Sequence, residues 1–426
     1  MAAPEPHALP EQDYMPSWSE MTHVFGRIGL MSFGGPAAQI AVMHRELVED
    51  RPWLSEQTYL RALSLCMLLP GPEAMQLATY AGWRLRGVPG GLLGGLLFVV
   101  PGAIIIAILA LLYAWYGQLP FVQTAFLGIK AAVIIVVFQA LLKVSSKALH
   151  GRLGWALALG SFISLFLFGL PFPLIILIAG AVGMFVRGSA ARPEPTSAPP
   201  AQSLRTLLIW GTLWAAPLLL IAGLSDDFLL QLGLFFSKLA VVTFGGAYAV
   251  LAYMTQTVVQ DFGWIDTDQM IDALGLAETT PGPLILVTQF VAMLAGFAQS
   301  GPMGALTAGL LALWVTFTPC FLWIFLAGPY LEALSAQPRI AGALRAITAA
   351  VVGVIANLSV WFALHVLFDR VSPGVFLALP EPVWMSFDPM AAALTVAAAV
   401  LMLGYRRGFV TTMVLLAALA LAVSAI

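Results

Sequence analysis

Residues 33–72 read FGGPAAQIAVMHRELVEDRPWLSEQTYLRALSLCMLLPGP, and residues 244–283 read FGGAYAVLAYMTQTVVQDFGWIDTDQMIDALGLAETTPGP. At a constant offset of 211 residues and without a gap, 15 of these 40 positions are identical, among them Met43 with Met254, Asp50 with Asp261, Trp53 with Trp264 and Leu63 with Leu274. Each copy opens on Phe-Gly-Gly and closes on Pro-Gly-Pro. The chain is an internal duplication, and what one copy forms the other should form too.

The apolar surroundings of both copies decide the fold class. Of 426 residues, 60% are hydrophobic and 9% are charged, against about 25% charged in a soluble domain. No water-soluble core absorbs that much apolar surface. The apolar residues fall into runs such as Val99 to Trp115 and Ala131 to Leu142, on the scale of the ~20 residues that cross a bilayer. An all-α, polytopic membrane protein follows. The net charge of −2 sums over two compartments and says little, but it excludes a basic nucleic-acid surface. The first 20 residues form a polar segment without the basic start and apolar stretch of a cleavable signal. Cys66 and Cys320 lie alone in apolar runs, without the spacing of a metal site or a disulfide, so they read as packing residues. No cofactor and no metal are expected.

Each half offers six apolar elements, at 21–43, 57–83, 90–116, 121–142, 153–168 and 171–186, then at 231–254, 269–297, 303–328, 340–368, 389–404 and 409–426. The expected division is a first repeat over 21–187, a Pro/Ala/Ser-rich flexible linker over 188–203, a linking helix over 204–224 and a second repeat over 225–426. Arg84 and Arg86, Lys143, Lys147 and Arg152, then Arg187, Arg192 and Arg205 mark alternate loops of the first half, whereas in the second half Arg339 and Arg345, then Arg406 and Arg407, mark the opposite set. Short Lys/Arg-rich loops stay cytoplasmic, so equivalent loops face opposite compartments. That is an inverted-topology repeat, produced by one extra helix between two six-element halves. The count is about 13 crossings, or about nine if the Phe-Gly-Gly and Pro-Gly-Pro elements are re-entrant, with the N-terminus cytoplasmic in the cell inner membrane.

Transporters of this build place substrate near the midplane, between broken helices. Pro70-Gly71-Pro72 and Pro281-Gly282-Pro283 interrupt apolar runs and should split their helices. A half-helix starting after such a break offers unpaired N–H groups and the positive end of its dipole to an anion. Gly34-Gly35 and Gly245-Gly246 permit close backbone approach. Arg27 and Lys238 align, six residues before each Phe-Gly-Gly; an intramembrane cation either holds an anionic substrate or snorkels to the interface. Ser32 and Thr243 align as hydroxyl donors. Glu73 follows the first break and Glu278 precedes the second, where a carboxyl either exchanges a proton with transport, caps a half-helix or pairs with Arg27. Gln39, Gln76 and Gln289 are polar candidates beside the breaks, Lys130 reads as a snorkelling lysine, and Trp53 and Trp264 as interfacial anchors. Arg45 and Arg51 would gather anions at a cytoplasmic mouth, opposite a segment carrying Asp261, Asp266, Asp268 and Asp272. The residues alone support an oxyanion carrier. Neither GxSxG nor HExxH occurs, so an enzyme is not expected; an anion channel stays open.

Ser32-Phe33-Gly34-Gly35-Pro36, then Met43 to Val48, Trp53, and the run Cys66 to Ala74 followed by Gln76 to Tyr80 and Gly82-Trp83, with Thr243 to Gly246, Gly263-Trp264 and Glu278 to Pro283 in the second half, resemble the chromate ion transporter family of the long, two-domain type. The resemblance covers nearly the whole chain. It implies chromate efflux across the cytoplasmic membrane and chromate resistance, with sulfate as competitor; apart from the resemblance, the expected partners are membrane lipid and, as an open alternative, a second copy in a homodimer. It also points to the first-half motifs, Arg27, Gly34, Gly35, Pro70, Gly71, Pro72 and Glu73, as those that matter most. Sulfate or another oxyanion is the alternative substrate.

Overall fold

The computed structural model describes residues 15–185, 200–244, 247–330, 337–373 and 379–424. Gly245 and Gly246, and most of the expected linker, lie outside them. The described chain is helical nearly throughout. In the first half the elements are α1 (Trp18–Met31), α2 (Pro36–His44), α3 (Glu56–Leu68), α4 (Glu73–Tyr116), α5 (Pro120–Ala148), α6 (Gly151–Phe166) and α7 (Phe172–Phe185). Helix α8 (Pro200–Leu224) connects to α9 (Asp227–Val242), α10 (Ala247–Thr255), α11 (Thr267–Thr279), α12 (Val287–Ala327), α13 (Pro338–Leu367), α14 (Pro389–Ala399) and α15 (Phe409–Ser424). A two-stranded hairpin, β1 (Val371–Pro373) and β2 (Pro380–Pro382), occupies the loop before α14. Five helices are long and apolar enough to cross a membrane, and α6, α7, α14 and α15 are shorter apolar helices. This is an all-α polytopic membrane protein.

Over the described residues the duplicated segment folds into the same series of elements in its two copies. Helix α2 and α10, like α3 and α11, start and end on residues 211 apart, and both α2 and α10 run into a π-helical turn, at Arg45–Glu49 and Gln256–Asp261. Ser55 and Asp266, also 211 apart, cap α3 and α11 by accepting from the backbone N–H groups of Thr58 and Gln269, the satisfaction of orphan donors that helix starts need. After Pro-Gly-Pro the register changes. The second copy inserts the 3-10 turn Leu284–Leu286, so α12 begins 214 residues after α4. Glu73 therefore has Val287 as its structural counterpart.

The elements expected at 57–83 and 90–116 are not separated by a loop. Helix α4 reverses at Arg86 and Gly87 (φ 62°), and α12 at Ser300 and Gly301 (φ 62°). The two arms of each are packed so closely that a Cβ on Gly82 would stand 2.1 Å from the Gly90 carbonyl oxygen, and one on Gly296 would stand 2.2 Å from that of Gly304. Only glycine allows this approach. The arm 73–85 is thus a short helix lying antiparallel to the long arm 88–116. At its end Arg86 donates to the Pro16 carbonyl and lies over the Trp18 ring, so the short arm of α4 ends beside the start of α1. Likewise α2 turns back along α1: Phe25 meets Trp53, and Arg27 meets Glu46. Trp53, expected at an interface, is a core residue packed on Phe25. Helices α1, α3 and α11, of 13 or 14 residues, and α9, of 16, reach about 20–24 Å, short of the ~30 Å hydrocarbon layer. Phe33-Gly34-Gly35 and Pro70-Gly71-Pro72 in the first half, and Phe244 and Pro281-Gly282-Pro283 in the second, stand at the tips where pairs of such short helices meet.

The halves interlock. Helix α5 packs against α14 and α15 of the second half, its counterpart α13 packs against α6 and α7 of the first, and α4 packs along α12. Such reciprocity is what a two-fold relation between the copies requires. Helix α8 stays at the periphery with most of its apolar side chains exposed.

Candidate functional site

The four tips meet. The Gly71 N–H donates to the Thr243 carbonyl at 3.0 Å, and the Gly282 N–H donates to the Ser32 carbonyl at 2.9 Å. Each Pro-Gly-Pro is thus bonded to the residue that ends the helix before Phe-Gly-Gly in the other half. Positive φ values at Gly71 (118°) and Gly282 (90°) turn these N–H groups toward the partner, and Gly34 (82°) and Gly35 (80°) make the corresponding turn into α2. These conformations suit glycine alone. Gln39 fastens the crossing further, its amide donating to the Gly282 carbonyl at 2.7 Å. Gln76 donates to the Pro70 carbonyl at 2.7 Å, bracing the first tip from within its own half. Replacing Gln39 by Leu leaves the buried Gly282 carbonyl without this donor, a loss of about 1–3 kcal/mol. The thermal unfolding midpoint of the purified protein should fall; an unchanged midpoint would show that the tips hold together without it.

Between the tips lies a cavity lined by Pro36, Gln39, Gly71, Glu73, Thr243 and Pro283, among others. Two helices begin at it. Helix α2 starts at Pro36, whose missing N–H costs nothing at a first helical position. Helix α4 starts at Glu73 behind Pro72, and no side chain caps either start. Uncapped first-turn N–H groups and the positive dipole end make such a place hospitable to an anion. No Lys or Arg is among the lining residues, so backbone dipoles supply its positive character. The free volume is about 20 Å³, room for about one water. An oxyanion of five heavy atoms needs the tips to part.

The structure gathers Gly71, Pro72, Glu73, Thr243 and Pro283 around this cavity, and brings Ser32, Pro281 and Gly282 to its edge through the bonds between the tips. Ser32 and Thr243 each donate their hydroxyl proton to the carbonyl four residues back, of Ile28 and Leu239, so in this conformation neither offers a donor to a ligand. Arg27 and Lys238 point elsewhere. Arg27 is 42% exposed and is ion-paired with fully buried Glu46 at 3.0 Å, which Arg51 also grips at 2.7 Å. Lys238 is exposed and stands over the Tyr253 ring. Arg45 is exposed. Glu278 is buried and accepts from the Tyr248 hydroxyl at 2.5 Å. Cys66 and Cys320 are buried free thiols.

Two features were not legible in the residues. Gly102, midway along the long arm of α4, is where the second tip rests, since a Cβ there would stand 2.1 Å from the Pro281 carbonyl oxygen; a Gly in an apolar run gives no sign of what approaches it. Lys130, expected to snorkel, instead joins Asp268 and Asp272.

Comparison with known proteins accords with this geometry. The chromate transporter family model matches residues 19–184 and 230–423, which are the two copies of the repeat. A probable chromate transport protein of Synechococcus elongatus is 31% identical over 83% of this chain and 86% of its own length. The chromate transport protein of Cupriavidus metallidurans is 29% identical over 90% and 91%, and that of Pseudomonas aeruginosa 32% identical over 80% and 79%. No solved structure matches the chain. With both repeats matched over most of the chain, this protein belongs to the chromate transporter family, a family of transporters rather than enzymes.

Proposed function

We propose that this protein is a secondary-active carrier that expels chromate across the cytoplasmic membrane and so confers chromate resistance. The observation that carries the reading is the narrow cavity where the crossed tips are bonded together, built on uncapped helix starts and with too little free volume for an oxyanion as it stands. A carrier that holds its substrate between gates needs such a constricted state, whereas a channel needs a continuous path. Chromate as substrate is drawn from the names of the relatives, and sulfate, of the same shape and charge, would compete.

The five long and four shorter apolar helices would give nine crossings, with the hairpins of the two halves entering from opposite faces and meeting midway. The reciprocal bonds between tips favour this inverted arrangement. In the resulting orientation Arg45 and Arg51 face the cytoplasm and Asp261, Asp266 and Asp268 the outside, which draws an anion in on one side and repels its return on the other. Outward movement of a dianion also gains ~2.3 kcal/mol per charge per 100 mV of inside-negative potential. Glu73 occupies the first position of α4, at the place where the oxyanion would sit. Its carboxylate and the substrate then compete for the same N–H groups, and protonation of Glu73 yields the place to chromate; Glu278 is the second carboxyl assigned to proton exchange.

Uptake of chromate into inside-out vesicles, with potential and pH gradient clamped separately, tests the proposal. Saturable uptake that excess sulfate inhibits and a pH gradient accelerates is expected. Uptake driven by potential alone would remove the proton role of Glu73 and Glu278. No chromate uptake would overturn the substrate.

A further inference from the structure

A second polar cluster lies away from the tips, in the second half's side of the molecule. Asp272 of α11 is fully buried, and its Oδ2 accepts the Tyr113 hydroxyl of α4 at 2.6 Å. Its Oδ1 is buried without a hydrogen-bond donor. Lys130 of α5 stands 3.9 Å from that oxygen, but its ammonium is bonded to Oδ1 of Asp268, at 2.5 Å. The Asp268 side chain is 62% exposed. One lysine is thus shared unequally between a carboxylate in contact with water and one sealed from it. The backbone around the pair is firmly set, since a Cβ on Gly275, one turn from Asp272, would stand 2.5 Å from the Ile129 side chain beside Lys130.

A buried carboxylate without a hydrogen-bonded cation is expensive in a membrane interior. It is stable there if it carries a proton, or if Lys130 moves the remaining distance onto it. The cluster has these two arrangements built in. We propose that Asp272 is a proton-exchange site of the transport cycle, with Lys130 as its switching partner and Tyr113 as its positioning residue. This rests on the carrier reading above and adds to it a site apart from Glu73 and Glu278. When Asp272 takes a proton from water on the Asp268 side, Lys130 keeps its charge and binds Asp268, as in the structure. When the proton returns to water, Lys130 shifts onto the bare Asp272 carboxylate. Asp272 lies nine residues before Pro281 on the helix that ends in the second tip, so a movement of Lys130 against α11 is passed to the cavity about 14 Å away along a rigid rod.

The surroundings leave the switch to these groups. Asp268 and Glu278 share α11 with Asp272, Asp266 caps its start, and His365 of α13 is within electrostatic reach of Asp268. Helices α12 and α15, which also pack on α11, carry no charged side chain. The first copy cannot form the cluster, because Arg61 and Gln57 stand where α11 has Asp272 and Asp268. A proton site confined to one of two related halves makes the two faces of the carrier unequal.

Infrared difference spectra of the purified full chain on lowering the pH test this without reference to substrate. The wild type should gain a carboxylic-acid carbonyl band that Asp272→Asn lacks. Tyr113→Phe, which removes a donor to the ionised form, should keep the band and move its midpoint to higher pH. A band of equal size in Asp272→Asn, or no band in the wild type, would overturn the proposal; should Asp272→Asn fail to fold, an unmoved midpoint in Tyr113→Phe would do so. In inside-out vesicles Asp272→Asn should retain potential-driven chromate uptake and lose its acceleration by a pH gradient, and acceleration equal to wild type would also overturn it. Absence of chromate uptake in the wild type would instead strike the substrate and leave the spectroscopic result standing.

Discussion

Gly102→Ala should abolish transport while Gly26→Ala leaves it intact. Both glycines lie within apolar helices, but a Cβ at Gly26 meets nothing within 4 Å, whereas one at Gly102 would stand 2.1 Å from the Pro281 carbonyl oxygen and 2.7 Å from a methyl of Leu286. The Leu286 methyl can turn away. The carbonyl cannot, because Pro281 is followed by Gly282, whose own N–H and C=O are engaged by Ser32 and Gln39 of the other half. Adding one methyl group therefore displaces the whole second tip or bends α4, with an overpacking cost of about 1–3 kcal/mol. Stability absorbs that; a site formed by two tips in register does not, since displacement breaks the crossing bonds and reshapes the cavity. The measurement is chromate uptake into vesicles at matched protein levels, with the unfolding midpoint of each purified variant. A Gly102→Ala protein that transports as well as Gly26→Ala would mean that the second tip does not form part of the path.

The residues announced the tips but not their meeting. Phe-Gly-Gly and Pro-Gly-Pro are local signals: proline removes donors and glycine admits positive φ wherever they stand, so the breaks could be read before any packing was known. The constant offset of 211 also fixed the matching of α1 to α3 with α9 to α11. It failed after Pro283, because the three residues Leu284–Leu286 form an inserted turn whose apolar side chains do not distinguish it from the helix that follows. Glu73 and Glu278 fall beside the two breaks at positions that are not equivalent, since Glu278 precedes its break and aligns with Met67. The reversal at Arg86-Gly87 is hidden in the residues because Arg84 and Arg86 mark a loop there, where the structure instead packs two helical arms glycine to glycine. Least visible were contacts between halves: nothing local to α5 says that it lies against α14 and α15, and nothing local to Lys130 says that two carboxylates of the other half await it.

Arg27 poses the sharpest question left by the site, because the same guanidinium can serve the fold or the substrate. In the structure it serves Glu46. That carboxylate is fully buried on the inner side of the π-helical turn after α2, and holds both Arg27 of α1 and Arg51 of the following loop. The second half has Thr257 and Phe262 at the equivalents of Glu46 and Arg51, and there a cluster of Phe235, Tyr253, Phe262 and Trp264 closes the same hairpin. One hairpin is pinned by charge and the other by aromatic packing. Glu46→Gln removes the charge that joins both arginines and should destabilise the protein by about 3 kcal/mol, the low end for a broken buried pair because both guanidiniums can turn to water. Arg27→Ala leaves Glu46 paired with Arg51 and should cost less. Thermal unfolding of the purified variants, measured beside chromate uptake, separates the roles. If Arg27→Ala unfolds as readily as Glu46→Gln and loses transport in the same proportion, Arg27 is a clamp for the first hairpin and acts on the substrate only through it. If Arg27→Ala stays folded, keeps its unfolding midpoint close to wild type and still loses transport, the guanidinium leaves Glu46 during the cycle and meets the oxyanion directly, with Arg51 retaining the carboxylate while it does so.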